Sequence, residues 1–296
     1  MVKLLKIEWL KLRYYQTFWT LLGFFCIGLL ALIFFVFSLY NKSNGNIQAG
    51  VQLSSPFNFP YVWQTVSYLA GFTLVIPAVL VITLTTNEIT FRTQRQNIID
   101  GLSRIQFIKA KFLLVFILSI IFTFLVGIAA ILFGLYGNTP MSFINSRYIL
   151  YFFCQCISYS MLSILFSLYI KKAGFAISSF ILYAWVIEKS LTGILNSVVK
   201  NSPGNYLPLS TSDKLIPLPF FKNAPYQSTE PGSLYISFIM LIIYLSVMYY
   251  IAVTKIRNED LWHSKLPNFP WLLNNDKTIP IWISWTDTYH LLFYSY

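Results

Sequence analysis

The chain reads as an all-α integral membrane protein: six transmembrane helices, an amphipathic interfacial helix before them, and a short cytoplasmic helix between the second and third spans. Three observations predict this class. Apolar residues fill 56% of the 296 positions and charged residues only 10%, against roughly 25% charge in an ordinary soluble domain. The charges are also clustered, with none between Arg13 and Lys42, Lys42 and Glu88, Lys111 and Arg147, Arg147 and Lys171, or Lys172 and Glu188. The first four gaps hold the roughly 20 apolar residues that cross a hydrocarbon layer as a helix; the last has 15, so its span runs on past Glu188. Finally, the formal charge of +11 is distributed by topology and forms no single basic patch, so nucleic acid is not an expected partner.

Residues 1–16 place Val2, Leu5, Trp9 and Leu12 on one helical face and most of their cations elsewhere, the pattern of a helix lying in the membrane interface. A plain basic anchor fits the same residues. The first span, Phe18 to Tyr40, follows Lys3, Lys6, Lys11 and Arg13 as a signal peptide would. Its apolar run is too long for one and lacks a small-residue cleavage site, so it is a retained span. The second, Gln64 to Thr86, contains Pro77, which predicts a kink. Phe112 to Tyr136, Ile149 to Ile170, Phe175 to Leu195 and Leu234 to Thr254 follow. On the fourth, Ser160, Ser163 and Ser167 form a stripe of small residues suited to close helix packing.

Cations favour cytoplasmic loops. With the N-terminus inside, that side receives Arg92, Arg95, Arg104, Lys109, Lys111, Lys171 and Lys172, and later Lys255 and Arg257. Both termini are therefore expected in the cytoplasm, with the protein in the inner (cytoplasmic) membrane. The six-helix domain covers residues 17–260, with an outer loop at 196–232 whose prolines interrupt helix. Residues 261–296 form an irregular tail, broken by Pro267, Pro270 and Pro280. No internal repeat is evident.

Catalytic spacings are absent. There is no phosphate loop, no GxSxG elbow and no HExxH. The histidines, His263 and His290, both lie in the tail, and Cys26, Cys154 and Cys156 sit in apolar runs as packing residues. No catalytic residue, metal site or cofactor site is expected.

The loop 87–111 is the most informative segment. Its arginines do not belong in hydrocarbon, while Ile98, Ile99 and Leu102 recur at helical spacing, so a short amphipathic surface helix is expected. Gly101 suits its C-terminal turn and Ser103 the cap of the next helix. The form Asn-Glu-x-x-x-Arg-Thr-x-Arg-Gln-Asn-x-x-Asp-Gly-x-Ser-Arg, with an amphipathic N-terminus and six spans, resembles the permease subunits of type-2 ABC transporters, over roughly residues 1 to 260. The resemblance implies that this loop is a coupling helix docking on a separate ATPase. It assigns the coupling role to Glu88, Arg92, Arg95, Gln96, Asn97, Asp100, Gly101 and Arg104. It also implies an exporter acting as a homodimer or paired with a related permease, ATP and Mg being held by the partner ATPase. The alternative for the loop is attachment to anionic lipid, which does not require Gln96, Asn97 and Asp100.

Glu188 interrupts the fifth apolar run. Carboxylates within a span face protein or water, and the resemblance implies re-entrant outer segments nearby, making Glu188 a pathway candidate. Pairing with Lys189 is the plainer alternative. The 19% aromatic content suits a greasy or amphipathic cargo. Two other classes stay open: a stand-alone secondary transporter, which would need ionisable residues within its spans, and an intramembrane enzyme, for which only Cys154 and Cys156 come close.

Overall fold

The structure, a computed structural model, describes residues 2–44, 56–99, 101–136, 139–199, 202–219 and 231–258. All belong to one compact unit, Met1–Glu259. The tail 261–296, with its two histidines, and Asp100 lie outside the described residues.

Helix α1 (Val2–Tyr14) meets α2 (Gln16–Asn44) at Tyr15, where single-turn bonds from Tyr15 N to Leu12 O (3.1 Å) and from Phe18 N to Tyr15 O (3.0 Å) form an elbow. On α2, Phe18, Phe25, Leu29 and Ile33 form the buried stripe, while Trp19, Phe24, Ile27 and Phe34 point outward. An apolar helix exposed on most faces has hydrocarbon as its solvent.

The second span is broken. Helices α3 (Val62–Gly71) and α4 (Val75–Thr90) meet at 44°. Pro77 is the cause, although the bend lies one turn earlier. Lacking an N–H, it leaves the carbonyl of Thr73 without its helical donor; Ile76 N takes that carbonyl instead at 2.9 Å.

After α5 (Thr93–Ile99), α6 (Arg104–Tyr136) begins at a reciprocal cap. Ser103 N donates to Gln106 Oε1 (2.9 Å) and Gln106 N to Ser103 Oγ (3.2 Å), a capping box of the Ser-x-x-Gln type. Helix α7 (Arg147–Tyr169) is the core of the bundle, 50% of its spanning window being buried against 17% for α2. Ser160, Ser163 and Ser167 are fully buried on it, as small residues at close helix contacts are.

The fifth span is a single 26-residue stretch, Ala173–Val198. It consists of α8 (Ala173–Leu182), a π-helical turn (Tyr183–Ile187) and α9 (Glu188–Val198). The chain then turns through a 3-10 helix (Pro203–Tyr206) into the short α10 (Pro208–Asp213), which packs against α7, α9 and α11 (Pro231–Arg257). Of the described residues in the loop 196–232, those of α10 tuck into the bundle.

Among the described residues five helices are long and apolar enough to cross a membrane, and six when the bent pair is counted as one span.

Candidate functional site

Two polar clusters lie at opposite ends of the helical bundle. The first lies at the end carrying α1. Lys11 Nζ is 3.3 Å from Glu8 Oε1 and 2.9 Å from Glu88 Oε1. Lys111 Nζ is 3.1 Å from Glu8 Oε2 and 2.7 Å from Glu88 Oε2. Two cations and two carboxylates thus alternate in a ring, joining α1, the end of α4 and the first turns of α6. Lys111 is only 1% exposed and Glu8 4%, so neither charge is tolerable there without the other. Next to the ring, Asn87 Nδ2 donates to Tyr15 OH at the elbow (2.7 Å).

This ring shows which side of α1 meets the bundle. Glu8 and Leu12, one turn apart, are buried, whereas Trp9 is 44% exposed; the two cations around Glu8 make the inward turn of a carboxylate favourable. The side chains of Val2 and Leu5 lie outside those described. Glu88, near the end of α4, lies in the ring at the root of the loop.

From that root α5 projects. Arg92 adopts φ +57° between α4 and α5, a conformation costing an L-residue about 1–2 kcal/mol. Arg92, Thr93 and Gln96 are exposed and Asn97 partly so; the side chain of Arg95 is not among those described. Gln94 is buried, while Phe91 and Ile99 are 73% and 68% exposed. The expected apolar face is therefore only partly inward: Ile98 and Leu102 are half-buried, and Ile99 is not. Gly101 ends the helix at φ +98°. Leu102 N reaches Asn97 O (3.0 Å) and Gly101 N reaches Ile98 O (3.1 Å), the paired bonds of a Schellman closure. Arg104 Nη1 donates to Arg257 O (3.0 Å), tying α6 to the end of α11.

The second cluster lies toward the other end. Glu188, 1% exposed, accepts at Oε1 from the backbone N–H groups of Leu209 and Ser210, both at 2.7 Å. Glu188 starts α9 and Val198 ends it, a rise of about 15 Å, so α10 returns well into the bundle to meet this carboxylate. Lys189 does not pair with Glu188; its ammonium contacts Asp213 Oδ2 at the end of α10. Asp213 also accepts from Tyr159 OH (3.2 Å to each oxygen) and Gln155 Nε2 (3.3 Å), both on α7. Beside this group is a cavity of 510 Å³, whose wall includes Lys189, Asp213, Gln155 and Tyr159, and Tyr68 and Phe72 at the bend of the second span. Glu188 itself is not part of that wall.

Residues 4–199, more than half of the chain, match the sequence model of the family described as ABC-2 family transporter protein. This chain belongs to that family. Comparison with curated proteins finds no match. As an ABC-2 family member it is a multi-pass membrane protein with a permease role. The match begins within α1, takes in the charge ring, α5 and Glu188, and ends before α10 and α11.

Sequence reasoning missed Glu8, Lys11 and Lys111 as a unit, and Asp213 with its α7 donors. One signal was present: Glu8 is the sole acid before Glu88 in a strongly basic, apolar stretch. Asp213, in a proline-rich loop, gave no local sign of lying inside the bundle. Among the described residues no group of His, Cys, Asp or Glu is arranged to hold a metal.

Proposed function

We propose that this permease is the membrane-spanning subunit of an ATP-driven ABC exporter, working as a dimer, with ATP and Mg bound and hydrolysed by a separate ATPase that docks on α5. The observation that carries this reading is the way α5 is mounted. Its tip offers Arg92, Gln96, Phe91 and Ile99 to solvent, a mixture of polar and large apolar side chains suited to a protein groove. Its root is held by the Glu8, Lys11, Glu88 and Lys111 ring to three separate helices. A push on α5 is thereby delivered to the second and third spans and to α1 together. Arg95, Asn97, Asp100, Gly101 and Arg104 complete the coupling assignment. The cation bias supports a cytoplasmic side for this end and for both termini, and with it an inner-membrane location.

The test is co-purification of the tagged chain with the ATPase encoded beside it. Arg95→Glu combined with Asp100→Lys is expected to abolish the complex; unchanged co-purification would remove the coupling assignment.

One observation favours a second reading. The Lys189 and Asp213 pair places ionisable groups among the spans, as a stand-alone secondary transporter requires. Solute movement that persists in vesicles lacking ATP and the ATPase would select it.

A further inference from the structure

The cavity beside Asp213 is built unlike a packing defect. Gln155 stands eight residues into α7, about 12 Å along its axis, and Lys189 lies nine residues before the end of α9, about 14 Å. A charge at such depth, here Lys189 with its partner Asp213, marks a ligand or ion site by default, because it must be compensated. The volume, 510 Å³, falls within the roughly 300–1,000 Å³ of small-molecule sites.

The compensation of Asp213 is uneven. Tyr159 and Gln155 are buried donors held on α7, whereas the Lys189 side chain is 48% exposed. A long, half-exposed ammonium is the one partner free to leave. The cavity wall is aromatic: Tyr68 and Phe72 meet edge to face at 5.7 Å, and Trp185 lines it as well. Such faces attract a cation. Gln155 Oε1, in the same wall, accepts no hydrogen bond among the described residues, and a buried unpaired carbonyl calls for a donor. It lies beside Gly71, where even an added Cβ would stand 3.8 Å from it. An anion would face Asp213 and leave that acceptor unmet.

We propose that this cavity binds a cationic amphiphile through an ammonium group bearing N–H, which displaces Lys189 from Asp213, donates to Gln155 Oε1 and lies against the aromatic wall. Lys189 is the resident substitute that keeps the carboxylate neutralised while the site is empty. No bond is made or broken; one ammonium exchanges for another. As a statement about cargo this rests on the permease reading, whereas the binding itself does not.

The test is equilibrium binding of radiolabelled dodecylammonium to the full chain in phosphatidylcholine nanodiscs, with empty nanodiscs subtracted, and dodecyl sulfate as competitor. Saturable binding is expected, about tenfold tighter in Lys189→Gln and about tenfold weaker in Asp213→Asn and Gln155→Leu, tenfold being 1.4 kcal/mol. Dodecyl sulfate should not compete. Should Asp213→Asn fail to fold, the gain in Lys189→Gln and the loss in Gln155→Leu still decide. No saturable binding to the wild type, no gain in Lys189→Gln, or dodecyl sulfate binding that depends on Lys189 would overturn the proposal. ATPase co-purification, which these substitutions should leave unchanged, tests the permease reading separately.

Discussion

Replacing Lys111 by Met removes the most deeply buried cation of the ring while nearly preserving its volume. Its ammonium lies 3.1 Å from Glu8 Oε2 and 2.7 Å from Glu88 Oε2, and among the described residues the other cation paired with these carboxylates, Lys11, is 36% exposed. Two carboxylates, 4% and 12% exposed, would then share one partly solvated partner. Removing one member of a buried ion pair costs about 3–5 kcal/mol, most of it the penalty on the charge left behind. We therefore expect Lys111→Met to lower unfolding free energy by about that amount, measured by denaturant titration of the purified chain in mixed micelles. The triple variant Glu8→Gln, Lys111→Met, Glu88→Gln removes the stranded charges as well, and should recover about 2 kcal/mol or more of the loss, since coupled sites are not additive. A Lys111→Met variant within about 0.5 kcal/mol of wild type, or a triple variant as costly as the sum of its parts, would refute the ring as a buried unit.

Three further outcomes follow from single side chains. Gly134→Ala would place a Cβ 2.4 Å from the Phe59 ring, an overpacking expected to cost about 1–3 kcal/mol in the same unfolding assay. Glu188→Leu should speed amide exchange at Leu209 and Ser210 by leaving two buried donors unpaired, at about 1–3 kcal/mol. Glu188→Gln, which keeps an accepting oxygen, should leave their exchange nearly unchanged. Gly101→Val forces a β-branched residue to φ +98°, and should fray the end of α5, visible as faster exchange at Leu102, whose N–H closes on Asn97 O, and weaker ATPase retention.

The parts of this fold legible in sequence were those set locally. Apolar runs between charges identified the six spans because hydrocarbon imposes one length on every crossing. Gly101 and Ser103 were readable because helix ends are closed by residues within one turn. Pro77 announced the bend, although the break falls near Thr73, whose carbonyl loses its donor. The polar clusters were not legible, because nothing local joins Glu8 to Lys111, 103 residues away, or Tyr159 to Asp213, 54 residues on. Glu188 was visible as a charge inside an apolar run. Its partners, the amides of Leu209 and Ser210, lie in a loop whose prolines read as an outer connection and whose return into the bundle depends on tertiary packing. The exposed Ile99 shows the same limit: helical spacing identified an apolar residue on α5 without deciding whether a span or a partner would cover it.

The most direct test of the account is vanadate-sensitive ATP hydrolysis by the permease and its neighbouring ATPase reconstituted in lipid, wild type against Arg92→Glu combined with Gln96→Glu on α5. The account predicts hydrolysis that depends on both chains and falls to the level of the ATPase alone in the α5 variant, the purified permease remaining folded. Hydrolysis indifferent to the permease, or unaffected by the α5 variant, would contradict it.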